Sequence, residues 1–191
     1  MNRRPRTETI QFLTLDETKR LFNAIKEKRD RAIFLIGYRH GLRASEIGLL
    51  QKSDLDFKQM RIMLHRRKGS LSGQHPLQTD EAKAVKSYLR SRNHPSPILF
   101  LSRRSLPIDR TMLHRLMRQY GAEGKLPPAK QHFHCLKHSI ATHLLDAGAD
   151  IRFVQDWLGH SRIQNTIVYA QLTSRTRDET ARKVFLALPR F

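Results

Sequence analysis

The chain is short of acidic residues. Of its 191 residues, 17 are Asp or Glu against 36 Lys or Arg, so the formal net charge is +19. An excess of this size points to a polyanionic partner, nucleic acid first. Charge alone leaves open a merely soluble basic protein. The basic residues run through the whole sequence instead of collecting in one tail, so the charge belongs to the folded surface. Cysteine is nearly absent: Cys135 stands alone, which excludes an intramolecular disulfide and fits a reducing compartment. No apolar run approaches the roughly 20 residues that cross a bilayer. The opening MNRRPRTETIQF also lacks the hydrophobic stretch of a secretory signal. A cytoplasmic, nucleoid-associated protein without a membrane partner is the expectation. Internal repeats are missing too, and the length suits one well-cored domain.

What is present is mostly helical punctuation. Thr14 to Glu17 reads as a capping box, opening a helix with Leu15, Leu21, Phe22 and Ile25 on its apolar side. Arg31 to Tyr38 is nearly all apolar and predicts a buried helix that stops at His40-Gly41. The run Gly41-Leu42-Arg43-Ala44-Ser45-Glu46-Ile47 places Arg43 at a helix entrance, with Ile47, Leu49 and Leu50 as anchors. Asp54 to Phe57 reads as a turn. Arg61 to His65 and Gln74 to Leu77 read as paired strands, joined by a charged loop from Arg66 to Gly73. Amphipathic helices follow over Thr79 to Arg92 and from Asp109 to Tyr120. The fold class expected is mainly α with a small antiparallel β-sheet.

The stretch from His134 to Leu172 is the densest in chemistry. It predicts three short helices. His134 and Lys137 share one face of the first, with Leu136, Ile140 and Leu144 on the other. Gly148 suits a left-handed cap, and Asp150 can cap the second helix. That helix ends at Gly159, His160 follows, and Tyr169 comes nine residues later. Two histidines, a lysine and a tyrosine near one point make a poor core but a plausible phosphate site.

HCLKHSIATHLL followed by LGHS and then Tyr169 resembles the tyrosine recombinases, the site-specific strand-exchange family that includes the phage integrases. GLRASEI resembles the family's first arginine motif and assigns Arg43 as phosphate clamp and Glu46 as its orienting acid. The family carries a catalytic lysine on a β-hairpin, and Lys68 before Gly69 matches it best. The second family arginine is replaced by Lys137, which keeps a charge but loses the bidentate fork. GLRASEIGLLQKSDLDF and HRRKGSLSGQHPL are similar to the small fimbrial phase-variation recombinases. Residues 1–12, basic and polar with Pro5, read as a flexible arm, and Ser174 to Leu188, with Val184, Phe185 and Leu188 apolar, as one more helix; the resemblance implies a tyrosine recombinase catalytic domain at 13–191.

It also implies a reaction. Tyr169 would attack a DNA phosphodiester, giving a 3′-phosphotyrosine and a free 5′-hydroxyl, with no cofactor and no metal. Its place after LGHS prefers it to Tyr38, Tyr88 and Tyr120. His134 and His160 would donate to phosphate oxygens, or one would take the phenol proton, since a tyrosine pKa near ~10 calls for help. Lys68 would protonate the leaving oxygen. Arg66, Arg67 and Arg162 are candidates for backbone contact with double-stranded DNA, a solvated charge run being the alternative. Recombination implies four protomers on paired DNA sites, with inversion or integration of a segment as the outcome. Zinc on His132, His134 and Cys135 is the weaker reading, since no second paired-ligand motif exists; His138 and His143 read as packed core histidines. The rival function is a catalytically weak or inactive DNA-binding accessory protein of the same fold.

Overall fold

The structure is a computed structural model; it describes residues 10–67, 69–170, 172, 182, 185 and 186. The expected arm falls largely outside these residues, as do Lys68 and most of the stretch from Ser174 to Leu188.

Helix α1 (Leu15–Ala24) starts where the sequence provides both halves of its capping box. Glu17 N donates to Thr14 Oγ1 at 3.1 Å, and Thr14 N donates to Glu17 Oε2 at 2.8 Å. Leu21 and Ile25 point inward, whereas Leu15 is exposed. Helix α2 (Lys28–Arg39) buries Ala32 to Gly37 and forms the central rod. It packs against α4 (Thr79–Ser91) and α6 (His134–Asp146). In the chain between α2 and α4 come α3 (Ala44–Ile47) and the strands β1 (Leu55–Asp56), β2 (Arg61–Leu64) and β3 (Gly73–Pro76), which form a three-stranded antiparallel sheet in the order β1-β2-β3. β2 (Arg61–Leu64) pairs with β3 (Gly73–Pro76), Ile62 opposite His75.

The sequence expectation differs at β1 (Leu55–Asp56), which lies within the stretch read as a turn. Two residues are too few to show alternation, yet Leu55 pairs with Ile62 and makes the hairpin a sheet. Leu49, expected as an anchor, is exposed because α3 is a single turn. Helix α5 (Arg110–Glu123) begins at Asp109, whose Oδ1 accepts from Met112 N at 2.7 Å.

The main core gathers Phe34, Phe100 and Phe133 with aliphatic residues from α1 to α5 and the sheet. A second, smaller cluster forms where α6 meets α7 (Ile151–Trp157) and α8 (Gln164–Ala170), closing over Ile140, Ala141, Leu145, Val154, Leu158 and Tyr169. Asp150 caps α7 by accepting from Arg152 N at 2.7 Å. Gly159 ends it at φ 66°, and any Cβ there would collide with the Arg66 side chain and lie 2.6 Å from the Leu71 carbonyl. This close approach brings the β2–β3 loop onto the α7–α8 turn.

Candidate functional site

Arg43 precedes α3 with an extended backbone, so its side chain leaves the helix entrance instead of running along the helix. Nη1 donates to Glu46 Oε1 at 2.9 Å and to Ser70 Oγ at 2.8 Å. The Arg43 side chain stays 37% exposed while that of Glu46 is wholly buried. Glu46 Oε2 also accepts from Arg43 N at 2.8 Å, and Oε1 from Arg67 N at 3.3 Å. Burial would raise the Glu46 pKa, but the Arg43 hydrogen bonds and the Arg43 and Lys137 charges hold it below the ordinary value. A buried, ionised acid thus fixes one arginine and one loop.

The loop is fastened to the α7–α8 turn. Leu71 N donates to Gly159 O at 3.0 Å, Ser161 Oγ donates to Gly69 O at 3.0 Å, and Ser70 pairs with His160 across an isolated bridge. Arg67 and Gly69, the neighbours of Lys68, are therefore anchored beside His160; Lys68 itself lies outside the described residues.

Arg66 corrects the sequence reading. It was expected among the DNA contacts, but its side chain is fully buried. Nη2 donates to Trp157 O at 2.7 Å and His40 O at 2.9 Å, and Nη1 stands 3.7 Å from Glu46 Oε2. Carbonyls at the ends of α2 and α7 draw it inward, so Arg66 joins helices instead of facing a ligand. Arg67 and Arg162 are exposed.

Lys137 departs from expectation in a second way. It lies on α6 but is 1% exposed, with Nζ donating to Leu158 O at 2.9 Å. Burial and the Arg66 and Arg43 cations push its pKa down to about 7. The charge that a lysine was expected to retain is therefore marginal at neutral pH.

His160 is 7% exposed, its Nδ1 3.0 Å from Thr166 Oγ1. Burial, then Lys137, Arg43 and Arg66, lower its pKa to about 3. His134 keeps solvent contact at the start of α6, yet partial desolvation and the Lys137 and Arg43 charges lower it to about 4. Both imidazoles are neutral at pH 7, and each retains an N–H able to donate.

Tyr169 completes the group. It is 3% exposed in the second cluster, its ring stacked parallel to His160 at 6.5 Å between centroids. Burial raises its pKa to about 12, with Arg43 opposing. The hydroxyl bonds to His138 Nδ1 at 2.9 Å. That contact was missed in the sequence, where His138 read as core; the available signal was its place one turn beyond His134, whose ring it meets at 4.4 Å. His143, the other such histidine, does serve structure: Nδ1 meets Tyr38 Oη and Nε2 meets Leu13 O, each at 2.7 Å. No group of three or more His, Cys, Asp or Glu able to hold a metal occurs among the described residues. Cys135 is buried and donates to Gln11 O.

Arg43 at the entrance of α3, Lys137 on α6, two neutral imidazoles and a phenol thus come from separate elements, an arrangement suited to a phosphodiester. Comparison with known proteins gives the same class. Residues 11–175 match the model of the phage integrase family. Type 1 fimbriae regulatory protein FimE of Escherichia coli (strain K12) is 34% identical over 168 residues, covering 83% of this chain and 84% of the relative. Tyrosine recombinase XerA of Thermococcus kodakarensis is 36% identical over 166 residues, covering 84% of this chain and 58% of the relative. The crystal structure of XerA recombinase superposes with a TM-score of 0.80 at 28% identity, over 100% of this chain and 68% of that one. The fold and the motifs define a tyrosine recombinase catalytic domain. The chain belongs to the phage integrase family.

No helix among the described residues is long and apolar enough to cross a membrane.

Proposed function

We propose that this chain is a site-specific DNA recombinase that cuts and rejoins duplex DNA through a 3′-phosphotyrosine. The observation that carries the reading is the convergence of Tyr169, His160 and Arg43 on one cation-rich point within a family match that spans the whole site. Arg43 would hold two non-bridging oxygens of the scissile phosphate, its angle set by buried Glu46. His134 and His160 would donate to the same oxygens as negative charge builds on phosphorus. Tyr169 Oη attacks phosphorus as the bond to the 5′-oxygen breaks, its phenol proton passes to a neighbouring imidazole, and Lys68 supplies the proton that the departing oxygen needs. A 5′-hydroxyl from a partner duplex reverses the steps. The phosphoryl bond is conserved throughout, so no nucleotide is consumed.

A bound phosphate also relieves the site's electrostatics. Lys137, Arg43 and Arg66 all depress the His160 pKa, with Glu46 as the acid between them. An anion in their midst would favour the charged forms of Lys137 and the imidazoles. Arg67 and Arg162 would contact the DNA backbone, and four protomers would assemble on paired sites in the nucleoid. The XerH recombinase structure bound to palindromic difH substrate, at 20% identity and a TM-score of 0.78, is consistent with duplex DNA as partner.

A second reading, a DNA-binding accessory protein of weak activity, is favoured by one observation: Lys137 is buried against Leu158 O in place of the family's second arginine. A nicked duplex built from inverted repeats flanking the gene separates the two. The recombinase reading expects a denaturant-resistant protein–DNA adduct with the native chain and none with Tyr169→Phe. Binding without an adduct would establish the accessory protein.

A further inference from the structure

We propose that His138 positions Tyr169 for attack by accepting the phenol hydrogen at Nδ1. This deepens the recombinase reading and rests on it, although the pairing itself requires no DNA.

The geometry divides the site's histidines between two tasks. The Tyr169 hydroxyl lies 2.9 Å from His138 Nδ1, with the rings 5.6 Å apart and inclined by 47°. His160 is closer to a stacking partner: its ring lies nearly parallel to Tyr169 at 13°, and its Nδ1 is engaged by Thr166 Oγ1. With His160 Nδ1 taken up by Thr166, the phenol's hydrogen bond runs to His138 instead. His134 meets His138 edge to face and keeps its solvent contact, which leaves it accessible to a ligand. His134 and His160 are therefore free to donate to phosphate, while His138 is engaged by the nucleophile.

The protonation states agree with the direction of the bond. Desolvation and then His134, His132 and Lys137 lower His138 to about 3, and burial raises Tyr169 to about 12. At pH 7 a neutral imidazole accepts from a neutral phenol. Accepting at Nδ1 requires the Nε2–H tautomer. The bond fixes the last torsion of a buried tyrosine and spares its O–H from being an orphan donor.

In the attack, the Oη–P bond forms and the P–O5′ bond breaks, its electron pair leaving on the 5′-oxygen. The phenol proton passes to His138 Nδ1, and Lys68 protonates the 5′-oxygen. The bound phosphate stabilises the imidazolium that results. In rejoining, the incoming 5′-hydroxyl forms its O–P bond and gives its proton to Lys68, while the imidazolium returns its proton to Tyr169 Oη as the Oη–P bond breaks.

Two measurements test the assignment. In the full chain labelled with 15N-histidine and free of DNA, His138 should show an accepting Nδ1 and a protonated Nε2, and Tyr169→Phe should shift the Nδ1 resonance. On the nicked duplex, His138→Ala should slow adduct formation about 10²-fold with DNA binding little changed. His138→Asn, whose amide oxygen falls near the Nδ1 position, should recover part of that loss by holding the phenol without taking its proton. The proposal is overturned by an Nδ1 resonance indifferent to Tyr169→Phe, by native cleavage in His138→Ala, or by no recovery in His138→Asn. Absence of an adduct from the native chain would sink the recombinase reading instead, and the resonance experiment would still decide the pairing. Should His138→Ala fail to fold, the asparagine variant and the resonance carry the test.

Discussion

The two hydrophobic clusters are built from different materials and serve different ends. The main core is aromatic and aliphatic throughout, with Phe34 meeting Tyr120 and Phe133 edge to face at 5.8 Å and 5.4 Å. Among the described residues, the second cluster, under the site, has Tyr169 as the one aromatic of its buried members, with half-buried Tyr38 packed against it. Its surroundings are charged or polar: Lys137, His160 and Thr166 are buried within it or beside it. Helix α8 buries Thr166 and Tyr169 while Ile167 and Val168 stay 40% and 38% exposed. The candidate nucleophile is thus also a packing element of the more weakly anchored region. The candidate site lies over one cluster and not the other, and α6 joins them, its Cys135 and Leu136 facing the first and its Ile140, Ala141 and Leu145 the second.

The largest effect that would sharpen this contrast is in the main core. Phe34→Ala should cost about 3–5 kcal/mol by chemical denaturation, with adduct formation per folded molecule unchanged. Val154→Ala, in the second cluster, should cost only about 1–3 kcal/mol but slow cleavage more than the core change does, because Tyr169 loses its bed. If Phe34→Ala slowed cleavage of the remaining folded protein more than Val154→Ala, the division between the clusters would be broken.

A smaller effect comes from pH. His75, His138 and His160 fall to about 3, and His134 to about 4, against an unfolded value near 6.5. Between those values the unfolded chain binds more protons, so stability is complete above about 6.5 and declines as pH falls toward 3. Lys137 acts in the same sense at higher pH: with its pKa lowered from 10.5 to about 7, stability rises with pH across that interval. Four of these five groups lie on α6 or next to α7. Amide exchange, corrected for its own pH dependence, should therefore quicken on α8 before α2 on acidification from pH 7 to pH 5; simultaneous loosening would contradict the separation.

Much of the site was readable because its signals are local. Asp150 and Gly159 delimit α7, and Thr14 with Glu17 opens α1, so spacing sufficed to set helices end to end. Arg43 and Glu46, three residues apart, form the pair the motif implied. What escaped depends on partners distant in sequence. Arg66 sits in a charged loop that reads as surface, but the carbonyls that draw it inward belong to His40 and Trp157. His138 finds its partner 31 residues away in Tyr169. Lys137 is placed correctly on its helix, yet its weakened charge follows first from burial and then from two arginines contributed by other elements.

The central claim is that the buried phenol at position 169 becomes covalently joined to DNA. Proteolysis of the adduct trapped on a nicked duplex, followed by mass spectrometry of the nucleotide-bearing peptide, tests it most directly. The account predicts the phosphodiester on Tyr169 alone; attachment at Tyr38, Tyr88 or Tyr120, or no modified peptide, would contradict it.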